Sequence, residues 1–139
     1  MAYNVTAYDC VVCAAMDARC NQVYIALFRI EDGKVERLTE EECLKTDEAA
    51  RMLSEYDDDI MLVGDGAFIM KKATDNEGME NVKIAPDPLR YQTGYGVCLA
   101  AVNAPQLTPE QLMPMYLKLP QAQRELMAKN AEAYKERKE

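Results

Sequence analysis

Cys10-Val11-Val12-Cys13-Ala14-Ala15-Met16-Asp17-Ala18-Arg19-Cys20-Asn21-Gln22-Val23-Tyr24-Ile25-Ala26-Leu27-Phe28 is the stretch from which the rest of the chain is read. Cys10 to Met16 carry no charge, and Val23 to Phe28 form a second apolar run rich in β-branched and aromatic residues. Two such runs around a short polar segment predict a β-hairpin whose strands are buried on both faces. Asp17, Arg19 and Asn21 then stand at its tip.

Downstream, Val23 to Ile30 leads into Glu31-Asp32-Gly33, and Asp-Gly between strand-like runs is a strong short-range turn signal. A third strand is expected from Lys34 to about Glu42, antiparallel to the second. Its charges (Lys34, Glu36, Arg37, Glu40, Glu41, Glu42) suit an edge that discourages further pairing. Thr39-x-x-Glu42 also fits a capping box, but Thr46-Asp47-Glu48 is the better helix start, with acids in its first turn. Ala49, Ala50, Met52 and Leu53 supply the apolar stripe of that helix.

Ile60-Met61-Leu62-Val63 is an uninterrupted apolar run bounded by Gly64, the pattern of a buried strand parallel to a neighbour. Gly64-Asp65-Gly66-Ala67 makes the exit turn into a helix starting over Ala67 to Lys72. Thr74 to Asn81 reads as loop, and Val82 to Ala85 as a short strand stopped by Pro86. Tyr91 to Asn103 holds the apolar block Val97 to Val102, expected as a core helix ended by Pro105. Thr108-Pro109-Glu110 has the order of a helix start, and Gln121 to Glu139 reads as a closing helix. Ala2 to Ala7 is too short for a stable helix of its own and looks like the end of an element.

At 139 residues and 49% apolar content, one soluble globular domain is expected. No run approaches the roughly 20 apolar residues a membrane helix needs, and no signal peptide is apparent; cytoplasmic residence and no membrane partner are the expectations. The formal charge of −8 argues against direct contact with a nucleic-acid backbone, which rewards basic surfaces. Five cysteines without an export signal read as reduced thiols. Cys10 and Cys13 form a Cys-x-x-Cys, but on a strand positions i and i+3 face opposite ways, and no histidine completes a zinc set.

Histidine is absent altogether, which removes the commonest general base and metal ligand. Ser54 is the sole serine and has no histidine to activate it, excluding a serine hydrolase. Gly64, Asp65 and Gly66 follow a strand and open a helix, so they could present amides to a phosphate; equally, glycine is what a tight strand-to-helix turn requires. Asp57, Asp58 and Asp59 are consecutive and cannot easily converge on one ion, which leaves a solvated loop. Asp17 and Arg19 admit two readings: residues facing an interdomain cleft or a partner, or an aspartate serving the turn amides with an arginine paired to it.

The phrase Asp17-Ala18-Arg19, with Gln22-Val23-Tyr24 after it, resembles the Asp-Ala-Arg-x-x-Glu-Val-Tyr signature in the C-terminal half of the TsaB (YeaZ) family, with Gln22 in place of the glutamate. Gly64-Asp65-Gly66-Ala67 and Pro114-Met115-Tyr116-Leu117 follow in the family's order. The resemblance implies one actin-like ATPase (RNase H-like) half-domain, α/β, with a five-stranded mixed sheet: an antiparallel three-strand meander beside two parallel strands, with helices packed on it. Pro114 to Leu117 would be an extended run packing near the sheet. It further implies a single domain over 1–139, equivalent to the family's C-terminal half and lacking its N-terminal half. The function implied is that of a non-catalytic accessory subunit in bacterial synthesis of threonylcarbamoyladenosine on tRNA. Such a subunit is an inactive member of the glycoprotease-like (peptidase M22-type) superfamily and needs no cofactor of its own. Its partners in the family are a TsaD-like catalytic subunit and a TsaE-like ATPase, with a possible homodimer. An ATPase or glycoprotease-like enzyme fragment, or a self-associating interaction module, are the alternatives.

Overall fold

Strand β1 (Cys10–Asp17) lies in the interior of the sheet, antiparallel to β2 (Gln22–Glu31) on one side and parallel to β5 (Ile60–Val63) on the other. The computed structural model describes residues 1–102, 104–118, 123, 126 and 127. β6 (Val82–Ile84) continues the parallel limb beyond β5, and β3 (Lys34–Arg37) pairs with β2 on the opposite flank, giving the order β3-β2-β1-β5-β6. The architecture is thus the expected mixed α/β sheet, with one difference at its edge.

The strand expected from Lys34 to about Glu42 is two strands. β3 pairs with Phe28–Glu31, and β4 (Glu42–Lys45) pairs with Gln22–Ile25, so both share one edge of β2. Between them Leu27 keeps its backbone bonds by substitution. Its amide donates to Oγ1 of Thr39 at 2.9 Å, and its carbonyl accepts the amides of Leu38 and Thr39. A side-chain hydroxyl standing in for a carbonyl lets the edge chain bulge outward without orphaning a buried group. Asp32 and Gly33 make the hairpin turn predicted, with φ of 50° and 73°.

Helices α1 (Thr46–Leu53) and α2 (Ala67–Asn76) cover one face. Glu48 accepts the Lys45 amide at the start of α1, while Ala49, Ala50 and Leu53 turn into the core. α2 runs past Lys72 to Asn76, so the expected loop begins only afterwards. Val11, Cys13 and Ala15 of β1 join this core, whereas Cys10 and Val12 join a second one beneath the short 3₁₀ turn Ala2–Asn4. The two cysteines therefore face opposite sides of the sheet. Burial pushes the Cys13 thiol up to about 12 and also raises Cys10, with Asp59 and Asp9 adding to the latter.

The acidic run is more than solvated loop. Asp58 forms a two-pronged pair with Arg29, both contacts at 3.0 Å, and the Asp59 carbonyl accepts the Val11 amide. The pair also raises the Arg29 guanidinium above its ordinary value.

The expectation of a core helix near Tyr91 is corrected. A helix does form, α4 (Gly94–Val102), after the single turn α3 (Asp87–Arg90), but among its residues only Gly96 is buried. Hydrophobic composition measures what a helix would bury; a neighbour must be present for it to be buried. Thr108 does not start a helix either. It closes one turn, its carbonyl taking the Gln111 amide and its amide donating to the Gln111 side chain, before Pro114 prevents continuation. The closing helix read over 121–139 lies outside the described residues, apart from the helical Gln123, Leu126 and Met127.

Candidate functional site

Three consecutive non-glycine residues at the hairpin tip, Arg19, Cys20 and Asn21, have positive φ of 64°, 53° and 57°. Each such residue costs on the order of 1 kcal/mol, so the surroundings must hold the turn in place. Asp17 does so from within: its carboxylate accepts the Arg19 amide at 2.7 Å, and its second oxygen lies 3.4 Å from the Arg19 guanidinium. Ala18 and Gln22 close the loop through backbone bonds, and the Asn21 carbonyl accepts the amide of Thr46 at the start of α1. The turn-serving role of Asp17 is therefore realised. Arg19, with 86% of its side chain exposed, still reaches outward from the tip.

The second sequence candidate is brought to the first. Oδ1 of Asp65 accepts the Asp17 amide at 3.2 Å, so the Gly64-Asp65-Gly66 turn buttresses the hairpin exit. The glycines are needed for that approach. A Cβ on Gly64 would sit 2.0 Å from the Ala15 carbonyl oxygen, and one on Gly66 would be 3.0 Å from the Ala15 carbonyl carbon. The Gly66 amide is already spent on the Ala15 carbonyl at 3.1 Å. These contacts account for both glycines through strand packing.

Beside the tip, a groove of about 490 Å³ opens on the sheet face away from α1 and α2. Tyr24 and Phe28 of β2 and Met16 of β1 line its floor, with Tyr116, Leu117 and Lys118 along one wall. The run from Pro114 to Leu117 thus passes near the sheet, as the resemblance implied. Lys118 is fastened there by a 2.9 Å bond from its ammonium to the Ala18 carbonyl, again at the hairpin tip. Arg37 stacks over the Phe28 ring at 4.9 Å and pairs with Glu41 at one end of the groove.

Two features escaped the sequence reading. Arg90 is almost wholly buried, with its guanidinium 4.6 Å from the Phe68 ring centre and 5.1 Å from that of Tyr91, and an ion pair to Asp87. Its carbonyl accepts the Gly64 amide at 2.7 Å, tying it to the same turn. Asn4 is the other. It donates to the carbonyls of Leu89 and Tyr91 and accepts from Thr93, whose hydroxyl caps α4 at the Gly96 amide. Neither residue sits in a motif, so only the topology reveals them.

Among the described residues no group of three or more His, Cys, Asp or Glu is placed to hold a metal ion. No helix among them is long and apolar enough to cross a membrane. The arrangement sets the exposed cation of Arg19, on a hydrogen-bonded tip, beside an apolar groove.

No protein-family model and no curated protein matches the chain. Among solved structures it is similar to an uncharacterized protein of Pseudomonas aeruginosa described as resembling the peptidase YeaZ, with a TM-score of 0.55 and 21% identity over 84% of this chain. The chain spans about half of that protein, 53% of its length, and the likeness is one of fold.

Proposed function

We propose that the chain acts as the C-terminal half-domain of a TsaB-like accessory protein, non-catalytic in itself and serving threonylcarbamoyladenosine synthesis on tRNA through a TsaD-like subunit. The observation that carries this reading is the Asp17-Ala18-Arg19 tip. It is held by Asp17 and Asp65 in a left-handed turn and presents Arg19 outward, on a fold similar to that of a YeaZ-like protein. A rigid tip with an exposed arginine suits docking to a carboxylate or phosphate on a partner. The absence of histidine from the sequence favours docking over proton-transfer chemistry.

The experiment is capture by the TsaD-like subunit of the same organism. The chain is presented alone and joined to a TsaB N-terminal half. Capture by the joined form, reduced at least tenfold by Arg19→Glu, is the expected result. Failure of both forms to bind would overturn the reading, as would ATP hydrolysis or peptide cleavage by the chain alone.

A further inference from the structure

Tyr24, Ala26 and Phe28 of β2 face the groove, with Met16 opposite Tyr24 and Ala14 opposite Ala26 on β1. The alanine pair leaves the floor low between a ridge of Met16 and Tyr24 and a ridge of Phe28. From Tyr24 to Phe28 the strand covers about 13 Å, at roughly 3.3 Å per residue. A cation stands at each end, in different states. At the Phe28 end Arg37 is occupied, lying over the ring and pairing with Glu41 at 2.8 Å. At the tip end the half-buried Lys118 gives one N–H to the Ala18 carbonyl. Among the described residues it pairs with no carboxylate. An ammonium has three N–H donors, so two are left. The apolar trough thus ends in an uncompensated positive charge.

We propose that the groove binds a medium-chain acyl carboxylate, its head on Lys118 and its chain along the Ala14–Ala26 trough to Phe28. The remaining N–H donors of Lys118 match the two oxygens of one carboxylate. A doubly charged phosphate ester would call for a second cation, and Arg37 is already neutralised by Glu41. A cationic head would be repelled by Lys118. For the body, carbon–carbon bonds of about 1.5 Å cover the floor with roughly ten atoms. The groove volume of about 490 Å³ lies within the range of small-molecule sites. Met16 and Met115 give polarizable walls that adapt to a flexible chain. The inference does not rest on the accessory-subunit reading: Arg19 takes no part in it, and either can fail without the other.

Calorimetric titration of the full chain with decanoate tests it. Saturable one-to-one binding is expected, with a dissociation constant of about 0.1 mM. Each two methylenes removed from the ligand should weaken it about fourfold, half the free energy of complete burial, because the groove is open on one side. Decyltrimethylammonium has the same chain and the opposite head. It should bind at least about tenfold more weakly than decanoate, although the chain's charge of −8 favours it overall. Lys118→Gln should weaken decanoate about tenfold, and Lys118→Glu should reverse the preference between the two ligands. Ala14→Leu, which fills the floor, should weaken decanoate by as much with unchanged circular dichroism. On binding, the methyl resonances of Met16 and Met115 should shift, and that of Met70, in the core on the opposite face, should not. No saturable binding would overturn the proposal. So would decanoate binding indifferent to both Lys118→Gln and Ala14→Leu, a wild-type preference for decyltrimethylammonium, or a shift at Met70 with Met16 and Met115 unmoved.

Discussion

The amide of Asp17 donates to the carboxylate of Asp65 across 48 positions of sequence, joining the exit of the hairpin strand to the turn after its parallel neighbour. It is the bond through which the two polar motifs become one structure. Because Asp65 is exposed, its removal is mild: Asp65→Ala should lower stability by about 1 kcal/mol in urea denaturation. Asp17→Ala removes the turn bond to Arg19 as well and should cost more. Equal stability of Asp17→Ala and wild type would mean that the turn holds without its aspartate.

Gly64 and Gly78 both have positive φ, 98° and 74°, yet they predict different outcomes. At Gly78 nothing lies within 4 Å of an added Cβ, so Gly78→Ala should cost about 1 kcal/mol of backbone strain. At Gly64 the methyl would overlap the Ala15 carbonyl, and β1 and β5 would have to separate. Gly64→Ala should therefore cost about 3 kcal/mol or more, or prevent soluble expression. Comparable melting temperatures for the two variants would refute the packing argument.

Thr39 matters for one atom. Thr39→Val keeps its shape and leaves the Leu27 amide without an acceptor, for about 1–3 kcal/mol. Amide exchange at Leu27 is the specific readout. It should accelerate more than exchange at the Val11 amide, which keeps its bond to the Asp59 carbonyl in the variant and so reports the general loss of stability. Equal acceleration at the two amides would show that the hydroxyl has no local role.

Burial raises the Cys13 thiol to about 12, against 9.0 for the ordinary group. Above pH 9 the unfolded chain releases this proton and the folded chain does not, so the unfolded state binds fewer protons and stability falls as pH rises. From Cys13 alone the slope approaches about 1.4 kcal/mol per pH unit between 9 and 12, and Cys10 adds in the same direction. Cys13→Ala should show a visibly shallower loss. At about pH 8 a thiol reagent should modify the exposed Cys20 promptly and Cys13 only on unfolding; equal rates at the two would contradict the burial.

Sequence patterning revealed elements whose environment is written in their own residues. Cys10 to Met16 has no charge because both of its flanks are strands, and Asp32-Gly33 makes a turn by itself. The interruption at Thr39 was hidden because it depends on a hydroxyl reaching a backbone amide 12 positions away. α4 was found but placed in the core, since an apolar composition does not tell whether a neighbour is there to cover it. At the candidate site, Asp17, Arg19 and Asn21 were found at the tip, whereas the meeting with Asp65, the Lys118 clasp and Arg90 required the fold.

The interior position of β1 has a consequence during synthesis. Its antiparallel partner is complete by Glu31, but its parallel partner ends at Val63, 32 residues later. At ribosomal speeds of about 5–20 residues per second, the hairpin waits roughly 2–6 s with one apolar edge open. A hazard of misassociation therefore falls while the chain is being made, and slower translation between residues 31 and 63 would lengthen it.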